Sequence, residues 1–244
     1  MSENNLLVSI GIIVHNEAAN IAKLLNALKN QNLNRVVIRE IIIVSSASTD
    51  ATDEIVEEFS KQDKRITLIR EKERRGKSAA INLFLKAANS EILIIESGDT
   101  IPAVDTVEKL IIPFFEQSIG MTGGRPVPEN SPDNFIGYSV NLLWNLHHKM
   151  ALINPKLGEM VAFRRLFENL PEQSAVDEAS IEALIRSAGL KLKYIGDALV
   201  YNKGPENLRD FIKQRKRIAA GHLWLKDVQN YSVASQDKKL LIKL

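Results

Sequence analysis

Cysteine is absent from the 244 residues. That excludes a disulfide framework, a thiolate zinc site and a cysteine nucleophile, and it fits a cytoplasmic location. No stretch reaches the ~18–20 continuous apolar residues that span a bilayer. Residues 1–7, MSENNLL, lack the basic start and apolar core of a signal peptide. Neither charge sign is in excess: 32 Lys and Arg against 30 Asp and Glu leave a formal net charge of +2. A balance that close to neutral gives no reason to expect nucleic acid as a partner. Internal repeats and low-complexity tracts are missing as well.

What is present is ordinary for a soluble globular chain, with 45% hydrophobic and 25% charged residues. The length suits one large α/β domain or two small ones. The organising stretch is 91–102, EILIIESGDTIP. Its apolar run reads as a buried strand of a parallel sheet. Its polar end, with Ser97, Gly98 and Asp99, falls at the carboxyl edge, where open α/β sheets bind ligands.

The rest of the first half repeats the same rhythm. Residues 6–14 (LLVSIGIIV), 40–44 and 66–69 read as strands. Between them, Ile21, Leu24, Leu25 and Leu28 share one helical face, as do Ala80, Leu83, Phe84 and Ala87. Alternation of this kind predicts a parallel sheet with right-handed crossovers over residues 5–100. Four strand ends then meet at one edge: 15–17, 45–50, 71–77 and 96–99. Hydroxyls, carboxylates and cations collected there suit a nucleoside diphosphate with a divalent cation, because Mg²⁺ and Mn²⁺ prefer oxygen ligands.

After Pro102 the pattern loosens. A helix over 104–115 should break at Pro113. Residues 121–128, MTGGRPVP, read as a strand entering a glycine turn. A long helix is expected over 135–153, a strand over 159–165, and a helix over 177–187 stopped by Gly189. Two short strands should flank Gly196-Asp197. A final basic helix over 207–227 carries Arg209, Lys213, Arg215, Lys216 and Arg217 between apolar positions. Basic amphipathic helices are membrane-surface elements in many proteins, whereas a solvated face is the plainer reading.

Eight segments in order carry a resemblance to the inverting, nucleotide-sugar-dependent glycosyltransferases of family 2. They are IIVHNEAANI, IIIVSSASTDAT, RRGKSAAIN, ILIIESGDTIP, GGRP, GEMVAFRR, AVDEASIE and QRKRI, and together they cover nearly the whole chain. The resemblance implies a GT-A (Rossmann-like) fold, a mostly parallel sheet flanked by helices with a C-terminal helical extension. It implies one catalytic domain over 1–205, with a nucleotide-binding half (1–102) and an acceptor half (103–205), and a basic amphipathic segment over 206–244. It also implies a nucleotide-sugar donor of the UDP or GDP type, a glycan, lipid or small-molecule acceptor, and a divalent cation, Mg²⁺ or Mn²⁺. Similar members continue into transmembrane helices, so a fragment or a peripheral enzyme at the inner membrane face is the expectation.

Residue by residue, the resemblance implies that His15, Glu17 and Ser46 line the nucleoside. Lys77 lies near the diphosphate, and Ser97-Gly98-Asp99 aligns with the metal-binding Asp-x-Asp, leaving Asp99 as the metal ligand. Gly124 forms a turn or a wall of the donor pocket. Glu178 is the catalytic base, with Asp177 as its close alternative, and Gln214 and Arg217 close over the diphosphate. Ser45 and Ser46 stand where carboxylates are common, so the base contact is open. Ser97 replaces the first Asp of the metal motif, and strand alternation turns Glu96 to the opposite side. Ile218 replaces the Trp of processive synthases.

Three rival readings rank lower. A nicotinamide dehydrogenase needs G-x-G-x-x-G where His15-Asn16-Glu17 stands. A sugar nucleotidyltransferase opens with a glycine-rich basic loop, which the N-terminal region lacks. An inactive nucleotide-sugar-binding module is the third. His147 and His148 read as packed or surface side chains, Asp50 as a helix cap, and His222 as a minor candidate for the metal.

Overall fold

The computed structural model describes residues 5–171 and 177–236. Residues 1–4, the start of AVDEASIE at 175–176, and the cationic tail from Lys238 lie outside them. Strands β1 (Leu6–Val14), β2 (Val36–Ser46), β3 (Ile66–Glu71) and β4 (Ile92–Ser97) alternate with helices α1 (Ile21–Lys29), α2 (Thr52–Gln62) and α3 (Lys77–Ala87). A short β5 (Thr100–Pro102), α4 (Thr106–Ile111), β6 (Ile119–Pro128), α5 (Phe135–Ile153), β7 (Val161–Arg164), α6 (Asp177–Ser187), β8 (Lys191–Asn202) and α7 (Leu208–Gln229) follow.

Among the described residues one eight-stranded sheet runs β3-β2-β1-β4-β7-β6-β8-β5. The β1–β2, β1–β4 and β2–β3 pairs are parallel, as the sequence rhythm predicts. Beyond β4 the sheet is mixed, because β7 pairs antiparallel with both β4 and β6. Parallel strands covered on both faces must be apolar at every position. Ile41, Ile43, Ile92 and Ile94 accordingly pack under α1, α2 and α4. Their neighbours Ile42, Val44, Leu93 and Ile95 pack under α3 and α6.

The helix after β5 ends as predicted: α4 passes at Ile112–Phe115 into a 3-10 turn that holds Pro113. Gly189, at φ 77°, follows α6, supplying the left-handed residue that commonly ends a helix. Two expectations need correction. Gly123 and Gly124 lie inside β6 rather than in a turn. A Cβ on Gly124 would come within 2.8 Å of the Ala198 carbonyl oxygen, so glycine there allows close strand approach and faces β8 rather than a cleft. The two strands expected around Gly196 are one continuous β8, which accommodates the break as a shift of register against β6 between Gly123 and Arg125.

The end of α7 does not float free of the domain. Leu225 and Val233 are buried against Ala179 of α6, with Trp224 and Tyr231 beside them. No helix among the described residues is long and apolar enough to cross a membrane.

Candidate active site

The loops after β1 and β2 are stitched together before any ligand is considered. His15 Nδ1 lies 2.8 Å from the Ser46 carbonyl oxygen, and the Asn16 amide donates to Ser48 Oγ at 3.1 Å. The Glu17 amide donates to Thr52 Oγ1 at 2.8 Å. Asp50 accepts from the Ala18 and Thr52 amides at 3.1 and 3.0 Å; it lies one residue before the N-cap of α2, Ala51, so it closes the turn into the helix rather than capping it as expected. Ser46 is buried with its hydroxyl unpartnered. These contacts hold His15, Glu17 and Ser46 in one wall.

The β4 end sits against that wall. A Cβ on Gly98 would fall 2.6 Å from Val14 Cγ1 and 2.9 Å from Glu17 Cγ, so only glycine lets the β1 loop close on Asp99. Asn20 donates to the Gly98 carbonyl at 2.7 Å. The Asp99 side chain is exposed at the tip of this turn. Glu96 is fully buried and accepts from Thr100 Oγ1 at 3.0 Å, away from solvent as strand alternation requires.

Lys77 enters from the start of α3. Its Nζ donates to Glu178 Oε1 at 2.7 Å and to Ser97 Oγ at 3.3 Å. Burial opposes the Lys77 charge, but the Glu178 and Asp177 carboxylates outweigh it and hold the ammonium above the ordinary lysine range. Burial likewise opposes ionisation of Glu178, and the Lys77 charge and hydrogen bond overcome it. Asp177 is buried and takes a hydrogen bond from Ser78 Oγ at 2.5 Å. That contact ties α6 to α3 and leaves Glu178 the more accessible of the two. On α7, Gln214 accepts from Arg215 at 2.9 Å, and the charge of the exposed Arg217 bears on Glu178.

One residue escaped the sequence reading. Glu159, just before β7, adopts a left-handed backbone at φ 59°, a conformation that non-glycine residues adopt infrequently and that clusters at functional sites. Burial, then the Asp99 and Glu178 carboxylates, push its carboxyl up to about 7, against the pull of Lys77 and a hydrogen bond from Asn202. Glu17 is likewise pushed up to about 7 by burial and by the Asp99 and Asp50 charges. The only sequence signal for Glu159 was a lone carboxylate directly ahead of an apolar strand.

His147 is buried against Trp144 and Tyr194, and burial lowers its pKa to about 3. His148 Nδ1 lies 2.9 Å from the Tyr194 hydroxyl. Both are packing residues, as expected. His222 has cations, Lys156 and Arg215, as its charged neighbours, a poor setting for a metal ligand.

Asp99 and its acidic neighbours leave a local excess of negative charge, which a bound cation would relieve. Among the described residues no three His, Asp or Glu side chains converge into a ready-made metal cage. The donor set therefore fits a hard cation that takes its other oxygen ligands from a diphosphate and water.

A mixed sheet with a carboxylate at the β4 tip and a lysine–glutamate pair across the crevice defines an α/β domain of the GT-A glycosyltransferase type. Residues 9–173 match the profile described as glycosyl transferase family 2, and the chain belongs to that family. The probable glycosyltransferase YdaM of Bacillus subtilis is 24% identical over 234 residues, covering 89% of this chain and 56% of that protein. The curated relatives are longer: the matched segments make up 26% to 56% of the first three. Among solved structures, a mannosyltransferase, PcManGT from Pyrobaculum calidifontis in complex with GDP-Man and Mn²⁺, superposes with a TM-score of 0.72 at 24% identity. That match covers 96% of this chain and 68% of the other. Glucosyl-3-phosphoglycerate synthase from Mycobacterium tuberculosis, in complex with Mn²⁺, UDP and glucosyl-3-phosphoglycerate, gives a TM-score of 0.63 at 17% identity. Coverage there is 89% and 79%.

Proposed function

We propose that this chain transfers a sugar from a nucleoside diphosphate sugar, of the UDP or GDP type, to an acceptor hydroxyl in a single inverting displacement. The observation that carries this reading is the Lys77 ammonium held between Glu178 and Ser97, two residues from Asp99 at the end of β4. His15, Glu17 and Ser46 form the nucleoside wall, and residues 1–102 supply most of the donor site. The acceptor, a glycan, lipid or small molecule, enters from the side of residues 103–205.

Glu178 removes the acceptor proton as the hydroxyl oxygen attacks the anomeric carbon. Asp177 is too buried and too tied to Ser78 to share that task, and it holds Glu178 in place instead. Lys77 lies within reach of both Glu178 and the β4 tip, so a diphosphate arriving at Asp99 draws the ammonium towards itself. That neutralises the leaving group. It also strips Glu178 of the partner that keeps its basicity low. Gln214 and Arg217 close over the diphosphate from α7. A divalent cation held by Asp99 would add Lewis-acid stabilisation of the departing diphosphate. Ile218 in place of an aromatic residue supports one transfer per encounter rather than polymerisation. The basic exposed face of α7 supports peripheral contact with an anionic membrane surface on the cytoplasmic side.

Thermal unfolding with UDP-, GDP- and dTDP-sugars, each with and without Mn²⁺, tests the reading. One donor class should stabilise the protein, more so with Mn²⁺, and Asp99→Ala should remove the Mn²⁺-dependent part. Release of nucleoside diphosphate from that donor separates an enzyme from an inactive binding module. Stabilisation by none of the donors overturns the proposal.

A further inference from the structure

The metal motif is missing its first carboxylate, because Ser97 stands there. We propose that Glu159 restores it from the neighbouring strand, as the second protein oxygen ligand of the cation at Asp99. The inference rests on the cation reading above and names the residue that completes it.

The first support is placement. β4 and β7 run antiparallel, and the last pair of their ladder is Ile95 opposite Val161. Ser97 ends β4 two residues beyond that pair, and Glu159 precedes β7 by two residues, so both lie at the same end of one strand pair. The left-handed backbone at Glu159 turns the chain at that point. A carboxylate lost at position 97 is thus replaced from the adjoining strand end.

The second support is the setting of the side chain. Asp99 is the strongest of the charged neighbours of Glu159, followed by Glu178 and Lys77. Glu17, another acidic neighbour of Asp99, has Asp50 as its second charged neighbour, which puts it on the nucleoside side. Glu159 instead lies on the side of the base, where a diphosphate and its sugar must pass. Asn202 holds the Glu159 carboxyl by a hydrogen bond. Asn202 is itself only 7% exposed, and its Oδ1 is buried without a partner. Glu96, 0% exposed with Asp99 and Glu159 as its charged neighbours, also keeps one carboxylate oxygen unpartnered. A buried polar atom left unpaired is unfavourable, and the Asn202 Oδ1 acceptor calls for a donor or a cation nearby.

The test is Mn²⁺ affinity of the full chain, read as free Mn²⁺ by electron paramagnetic resonance, with saturating UDP and separately GDP. Glu159→Gln should weaken Mn²⁺ binding about tenfold or more, the size of effect that even outer ligand partners produce. Adding Ser97→Asp to Glu159→Gln should restore it, because the carboxylate has been moved back across the strand pair. Equal Mn²⁺ affinity in Glu159→Gln and the unaltered chain overturns this inference and spares the cation reading. Weakening that Ser97→Asp does not repair overturns it too. Absence of nucleotide-dependent Mn²⁺ binding in the unaltered chain overturns both, and leaves Lys77 as the diphosphate's counter-charge.

Discussion

Lys77 Nζ sits 2.7 Å from Glu178 Oε1 although 101 residues separate the two in the chain. The pair spans the crevice between the start of α3 and the start of α6. It stabilises the Glu178 carboxylate and so makes it a weak base while the crevice is empty. In the proposed mechanism this would couple donor binding to base strength through one ammonium group.

Glu178→Gln should lower transfer by about 10²- to 10⁴-fold, the usual worth of a positioned base, while donor binding is retained or strengthened, because Lys77 is released from Glu178. Lys77→Met should weaken donor binding and also free Glu178 from its partner. The acidic limb of the kcat/KM profile, which reports the free enzyme, should then move to higher pH. Steady-state kinetics over pH checks both, and full activity in Glu178→Gln would reassign the base.

Stability should fall between about pH 6.5 and 8.5. Burial is the main reason that Glu96 is pushed up to about 8 and Glu17, Glu159 and Glu182 to about 7. These groups keep in the fold a proton that the unfolded chain has already lost, so stability declines as pH rises through their folded values. His147 and His222 act the other way. Burial lowers them to about 3 and about 4, so stability gained from them rises with pH and is complete above the unfolded histidine value of about 6.5. Thermal unfolding across this range should give a falling Tm, and Glu96→Gln should flatten it. A Tm that climbs from pH 6.5 to 8.5 would contradict the assignment.

The segment after α7 braces the acidic helix. The Tyr231 hydroxyl donates to Glu182 Oε2 at 2.9 Å, and Glu182 Oε1 accepts from the Leu157 amide at 2.7 Å. Glu182 lies one turn beyond Glu178 on α6, and Leu157 lies two residues before Glu159. Tyr231→Phe strips a buried carboxylate of one donor and should cost about 1–3 kcal/mol in urea unfolding. It should also lower kcat more than it alters KM, and an unchanged urea midpoint with unchanged kcat would refute the brace.

Gly11 lies mid-strand in β1, where a Cβ would fall 2.5 Å from Phe84 Cγ. Phe84 is fully buried, so its ring cannot yield freely. Gly11→Ala should destabilise by about 1–3 kcal/mol, the range for overpacked cores, as a lowered midpoint in urea. No loss would mean that α3 shifts readily on the sheet.

The sequence by itself determined the first four strands, their helices and the parallel order. Those elements bury both faces of each strand, and an uninterrupted apolar run is the direct trace of that burial. It also marked where each strand leaves the core, because polar residues can end such a run only there, and the proposed donor site lies at those ends. The mixed half was harder to read: Gly123-Gly124 looked like a turn and proved to be a close strand contact, since close approach of two backbones leaves no mark beyond the missing side chain. Only the tertiary structure paired Lys77 with Glu178, buried Asp177 on Ser78, and brought the start of β7, with Glu159 just ahead of it, beside the end of β4. Those relationships depend on register between strands and helices far apart in the chain, and a register is fixed by packing that no local stretch of residues carries.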